Sequence, residues 1–309
     1  MNEEAGKENH QVKGYLLALA AAICWGLSGT FGQYLFQHRE INTEWLVTMR
    51  LLIAGVLLLC IVPRREHKNI RRIWTVKEDA RALIVFGIFG MLAVQYTYFA
   101  AIEYSNAATA TILQYLGPVF IACYIALKNK QLPSWEDSLA ILLALAGTFL
   151  LVTHGSFKSL AISGWALFWG IASAISLAFY TLQPLRLLQQ WDARIVIGWG
   201  MLIGGIAFSF VHAPWNVSGT WDLATVSFFS FIILFGSLIA FYAYLVSVKY
   251  IGGVKASLLA FAEPLSAALL SILWLQTAFG MLDWTGAGLI LLTIVLLTRS
   301  KNKSPAILA

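Results

Sequence analysis

The residue pair in this chain that most directly invites chemistry is Glu263-Pro264. It lies inside an apolar run over 254–276, with Glu263 ~14 Å along a helix by rise alone. That depth is close to the middle of a bilayer. A carboxylate there costs several kcal/mol unless it meets a cavity or a partner, so Glu263 is a candidate for holding substrate, carrying a proton or gating. The competing reading is a brace against a neighbouring helix. Pro264 removes a backbone donor and frees a carbonyl around Ala260, which in a membrane must find water, a side chain or substrate. Pro118, at the matching place in an earlier run over 106–127, marks a second expected helix break or gating point.

Two further charges and a set of aromatic and amide side chains surround this candidate. Arg50 lies ~9 Å inside its run, a depth from which a long side chain can snorkel to the interface. Lys255 reads as a cytoplasmic anchor. Gln95, Tyr98 and Phe99 share one helix face by their spacing, and Gln114 and Tyr115 follow in the next run. With Trp25, Tyr180 and Tyr244 they could line an aromatic cavity carrying a few amide and hydroxyl groups. Such a wall suits organic molecules with an apolar body and one polar end, or a cation over aromatic faces. Interfacial belts and interhelical packing are the alternative account, and they cover Trp74, Trp135, Trp215, Trp221 and Trp284 near expected helix ends.

Positioning these groups falls to membrane-spanning helices. The 309 residues are 59% hydrophobic and 12% charged, with a mean hydropathy of +0.75. A soluble domain carries about 25% charged residues, so the expectation is an all-α integral membrane protein. Long continuous apolar runs exclude a barrel, whose strands would alternate. The net charge of +6 does not point to nucleic acid, because the basic residues lie between apolar runs and not along one helix face. Cys24, Cys60 and Cys123 lie within apolar stretches and lack metal-ligand spacing.

Ten stretches are long enough to span: 14–36, 43–63, 82–102, 106–127, 135–154, 162–183, 193–213, 224–247, 254–276 and 280–298. The first is read as a retained helix, with 1–13 as an N-terminal tail and 299–309 as a C-terminal one. With the N-terminus in the cytoplasm, 18 of 21 Lys and Arg fall on the cytoplasmic side. That asymmetry predicts cytoplasmic termini in a cell membrane, and a bacterial one.

The two halves also resemble each other. Sliding 83–153 forward by 146 residues onto 229–299 gives 16 identities. They include Phe89-Gly90-x-Leu92 on Phe235-Gly236-x-Leu238, Tyr96 and Tyr98 on Tyr242 and Tyr244, Pro118 on Pro264, and Asp137 on Asp283. Glu103 falls on Lys249 and Thr109 on Lys255, as expected if the second copy is inserted upside down. Five helices per copy, over 14–154 and 162–298, force that inversion, and inverted repeats are a transporter architecture.

Several stretches resemble the EamA-type members of the drug/metabolite transporter superfamily. The resemblance rests on Cys24-Trp25-Gly26-x-Ser28, on Arg50-Leu51-Leu52-Ile53-Ala54, and on Ala110-Thr111-Ile112-Leu113 followed by Pro118. Its second-half counterpart is Ala256-Ser257-Leu258-Leu259 followed by Glu263-Pro264. It implies a ten-helix secondary transporter of two five-helix repeats, exporting or exchanging amino acids, related metabolites or drugs, with no cofactor. Two departures stand out: Gly117 replaces the Glu often found before the first proline, and Asn129-Lys130 and Gln276-Thr277 replace a common Gly-Glu. An organic-cation, nucleoside or nucleotide-sugar substrate is the runner-up. An intramembrane enzyme is disfavoured, since all five histidines lie in loops or at helix ends. A non-transporting receptor would leave the repeat unexplained. No Gly-x-x-x-x-Gly-Lys-Ser/Thr loop occurs for ATP-driven transport. The expected partners are a small-molecule substrate and the lipid bilayer, with the oligomeric state left open.

Overall fold

The fold is a bundle of apolar helices in which local sequence sets where each helix starts and ends. The computed structural model describes residues 2–128, 130, 135–154, 161–251, 259–260 and 262–301. In chain order the principal helices are α1 (Asn2–Arg39), α2 (Thr43–Cys60), α3 (Lys77–Glu103) and α4 (Ala107–Lys128). They are followed by α5 (Trp135–Thr153), α6 (Gly164–Leu182), α7 (Ala193–Phe208), α8 (223–251), α9 (Ala262–Leu273) and α10 (Met281–Lys301). No strand occurs among the described residues. Among the described residues, six helical stretches are long and apolar enough to cross a membrane, and shorter apolar stretches lie in α5, α7, α9 and α10.

Starts are set by side-chain caps. Asn42, Asn106, Ser163, Asp192 and Asp222 each accept a hydrogen bond from a first-turn backbone N–H of the helix that follows, satisfying donors that have no intrahelical partner. Two of the ends are closed by left-handed residues. Glu40 (φ 56°) and Gln276 (φ 51°) sit inside turns closed by Ile41 N–Leu35 O and Thr277 N–Ser271 O hydrogen bonds, a left-handed position that glycine usually fills at a helix end. The polar N-terminal segment is helical from Asn2 and continuous with α1; its Glu, Lys, Gln and Ala residues favour helix.

Four irregularities interrupt the helices. α3 and α8 each pass through a π-helical segment, Phe86–Leu92 and Leu234–Ile239. α4 is broken at Tyr115-Leu116 between Ala107–Gln114 and Gly117–Lys128. α9 begins at Ala262 after a turn at Ala260. Glu263 therefore occupies the first turn of a helix, not the middle of the continuous one that the run 254–276 suggested. Lys255, Phe261 and the 155–159 connector lie outside the described residues, as do the side chains of Pro118, Leu245 and Lys249.

Packing follows a crossed pattern. α2 lies along α7 and α5 along α10, while α1 packs on α8 and α9 and α6 packs on α3 and α4. Glycines allow the closest of these approaches. A Cβ built on Gly55 would come within 2.9 Å of the Leu202 backbone nitrogen, and one on Gly205 within 3.0 Å of that of Leu52. One end of the bundle is tied by 209–222, where Trp45 Nε1 donates to Pro214 O at 2.8 Å and Arg39 pairs with Asp222 at 2.9 Å. At the other end the buried Asp79 accepts from Arg186 Nη2 at 3.2 Å and from Trp191 Nε1 at 3.0 Å.

Candidate functional site

The two helix breaks meet. Pro264 cannot donate to the carbonyl four residues back, which is that of Ala260. That carbonyl accepts the Glu263 backbone N–H at 2.9 Å and the hydroxyl of Tyr115, at the α4 break, at 2.7 Å. The same hydroxyl lies 3.3 Å from Glu263 Oε2. A phenol has one proton and two lone pairs, so it donates to one of the two oxygens at a time. A protonated Glu263 would in turn donate to Tyr115, and this geometry accepts the carboxyl group in either form.

Arg50, Tyr98, Tyr115 and Tyr244 all lie within electrostatic range of Glu263. Arg50 makes no direct ion pair with it among the described residues. Arg50 does not snorkel. It is buried, with 6% of its surface exposed; its Nε donates to Ser237 Oγ at 2.6 Å and its Nη2 to Gly236 O at 3.0 Å. The guanidinium carbon lies 5.0 Å from the centroid of Phe99. The π-helical segment of α8 explains the inward turn, because its wider i→i+5 spacing leaves backbone groups free for such a partner. The Ser237 hydroxyl donates to Ile232 O at 3.0 Å, leaving its lone pairs for Arg50.

Aromatic rings pack near these two separated charges. Tyr98 and Thr111 share a hydrogen bond of 2.8 Å between their hydroxyls, and Gly29 of α1 leaves room for the phenol. Trp25 lies 5.3 Å from both Phe241 and Tyr244. Tyr180 stacks on Phe86 at 5.7 Å. Gly26 brings α1 against the Glu263 carbonyl and Ser266. Trp25, Tyr115, Tyr180, Tyr244 and Glu263 remain partly accessible. Trp25 Nε1, Ser28 Oγ and both amide atoms of Gln95 are buried without a hydrogen-bond partner among the described residues. Unsatisfied polar atoms of this kind are costly in a protein interior and invite a ligand or water.

The EamA-like transporter family model matches residues 12–153 and again 164–299. The chain belongs to the EamA-like transporter family. This family member is 43% identical over 295 residues to the uncharacterized inner membrane transporter YicL of Salmonella typhimurium, covering 94% of this chain and 97% of that one. It is 26% identical to the uncharacterized transporter YwfM of Bacillus subtilis, over 93% of this chain and 94% of the relative. One solved crystal structure superimposes with a TM-score of 0.62 at 18% identity, over 95% of this chain and 100% of that one, a likeness of fold alone. The protein is therefore a multi-pass inner membrane transporter.

In this transporter the residues singled out from sequence divide into two groups. Glu263, Tyr115, Tyr98, Tyr244 and Arg50 come together, with Trp25 packed on Tyr244 and Tyr180 one ring further out. Gln114 does not join them; its Nε2 donates to Ser173 Oγ of α6 at 2.7 Å. Gln95 is buried and its amide has no hydrogen-bond partner among the described residues. Pro264 opens the carbonyl at the centre of the site, while the side chain of Pro118 lies outside the described residues. Thr111, Ser237 and the Gly236 carbonyl were not legible as partners. A signal for the last two was present in the repeated Phe-Gly-x-Leu motif, which falls in both π-helical segments.

Proposed function

We propose that this protein is a secondary transporter of small organic metabolites, amino acids or related compounds and drugs, working by alternating access in export or exchange. In this reading ten helices form two inverted five-helix repeats, and the substrate binds at the paired helix breaks around Glu263. Four observations support the repeat: the doubled family match, the paired π-helical segments, the paired breaks, and the reciprocal Gly55–Leu202 and Gly205–Leu52 contacts. A two-fold axis that exchanges residues 150 apart turns the first of those contacts into the second. Cytoplasmic termini follow from the lysine and arginine asymmetry.

The observation that carries the site is Glu263 at one break, held against Tyr115 from the other, with Arg50 in electrostatic range but unpaired to it. Broken helices meeting at mid-membrane, with charges and aromatic rings beside them, are how transporters of this architecture hold substrate. A carboxylate and a guanidinium separated in this way suit a molecule bearing both charges, and the rings suit an apolar body. A simple organic cation is the second reading, favoured by the ring of Tyr98, Tyr115, Tyr244 and Trp25 around the carboxylate. The Arg50 charge weighs against it.

The test is a thermal-shift screen of purified protein against amino acids, amines and nucleosides, followed by flux into proteoliposomes for each compound that binds. Glu263→Gln is expected to abolish or cripple flux while leaving the protein folded. Unchanged transport across a pH series would remove Glu263 from the mechanism.

A further inference from the structure

Gln33 on α1 is a junction of three helices. It is 2% exposed. Its Oε1 accepts the backbone N–H of Ala107, in the first turn of α4, at 2.9 Å. A backbone nitrogen can only donate, so that contact fixes which end of the amide is the oxygen. The same oxygen lies 3.4 Å from Ser271 Oγ of α9. On the other side, Gln33 Nε2 donates to Gln37 Oε1 at 3.1 Å and to Thr277 Oγ1, just beyond α9, at 3.4 Å. Gln33 thus pins the end of α4 to the end of α9, and these are the two broken helices that carry Tyr115 and Glu263. Tyr34, one residue on, stacks on Trp274 at 5.0 Å and closes the same end.

The residue 150 positions later is Gln183, at the end of α6. The same offset lays the helix cap Asn42 on Asp192 and Gly55 on Gly205. Yet Gln183 is bonded differently. Its Nε2 donates to Ala82 O of α3 at 2.9 Å, and a carbonyl can only accept, so this amide orientation is fixed too. Its Oε1, the atom that in Gln33 accepts from a helix start, is buried without a hydrogen-bond partner among the described residues. An unsatisfied buried carbonyl oxygen costs on the order of 1–3 kcal/mol. An inverted repeat that alternates between two states predicts this asymmetry, because each copy adopts the other's arrangement when the transporter turns over.

We propose that Gln33 and Gln183 are the paired latches of alternating access. Gln33 closes its end of the bundle across α1, α4 and α9 in the state described here, and Gln183 takes up the equivalent bond at the opposite end in the alternate state. The inference rests on the inverted-repeat reading above, but it does not depend on which compound is transported.

The test uses the full-length transporter with Cys24, Cys60 and Cys123 replaced and Thr30→Cys introduced. Thr30 is buried one turn below Gln33. Labelling by a membrane-impermeant maleimide is followed in intact cells and in inside-out vesicles, so that either orientation of the latched end is read. Gln33→Ala is expected to raise the labelling rate on the order of five-fold, the population shift from losing about one net hydrogen bond. Gln183→Ala is expected to lower it, because it weakens the opposite state. The pair Ser271→Ala and Thr277→Val removes partners while keeping Gln33, and should reproduce the rise if Gln33→Ala fails to fold. Rates that do not move, or move the same way in both glutamine variants, overturn the proposal. Normal flux with unmoved rates would sink the latch alone; opposite shifts without flux of any compound would leave the latch standing and sink the substrate reading.

Discussion

At the residue scale the site is a set of polar groups that satisfy one another inside an apolar bundle. Tyr115 is the pivot, since it supplies a side-chain donor to the Ala260 carbonyl freed by Pro264. Tyr115→Phe keeps the ring and removes the donor. It is expected to cost about 1–3 kcal/mol of stability, read as a lower Tm of the purified protein, together with a loss of flux. Arg50→Lys keeps the charge but not the two-direction fork that reaches Ser237 and Gly236. A Tm for Arg50→Lys equal to that of the parent protein would contradict the buried contacts described here. Pro264 shows how far a single residue can be read: its chemistry implied a spare carbonyl at 260, but only the structure names the Tyr115 hydroxyl that takes it. The distance of Arg50 from its helix end suggested snorkelling. The π-helical segment opposite it, which no composition or spacing of α2 reveals, turned it inward.

At the element scale, helix ends carry the local stability. Asp192 caps α7 and its carboxylate holds the Arg194 side chain through contacts of 2.9 and 2.8 Å. The hydrogen bond from Arg194 is the main reason that the Asp192 carboxyl titrates below its usual value. A depressed folded-state pKa stabilises the fold above the ordinary carboxylate range, and that contribution is lost as pH falls through the depressed value. Asp192→Ala is therefore expected to cost about 0.5–2 kcal/mol near neutral pH. The gap between the two proteins should shrink in acid, which melting curves in detergent at several pH values would check. Gln276 ends its helix with φ at 51°, a conformation that costs a residue with a Cβ about 1–2 kcal/mol. Gln276→Gly is expected to raise the Tm, since glycine recovers most of that strain at some cost in chain entropy. Apolar runs marked most of these helices in the sequence and the two prolines marked where α4 and α9 would be interrupted, while the residues at which the helices actually part, 115–116 and 260, did not stand out because the flanking residues are as apolar as the helices themselves.

At the scale of the whole molecule, α1 and α6 exchange places: each packs on the later helices of the other half. That crossing puts Trp25, Gly26 and Gly29 of the first half against Tyr244, Glu263 and Ser266 of the second, as well as against Tyr98. It also lets one glutamine bridge the ends of both broken helices. The orientation that accompanies this reading is open to a direct check. A fluorescent reporter that folds only in the cytoplasm is expected to light up when fused to either terminus, and a dark fusion at one end alone would contradict five helices per half.

By itself the sequence determined the class of molecule and the kind of residue that could matter. Apolar runs of spanning length leave a helical membrane protein as the economical solution, since backbone groups in lipid must be satisfied within the segment. A carboxylate beside a proline in such a run marks itself as expensive. Only the tertiary structure decided which of the candidates meet. Tyr115 reaches Glu263, with Arg50, Tyr98 and Tyr244 in electrostatic range, whereas Gln114 is held by Ser173, because the arrangement depends on π-helical segments, breaks and glycine crossings that set helix rotation. Rotation of one helix against another is a property of their contact, and neither sequence of the pair encodes it alone.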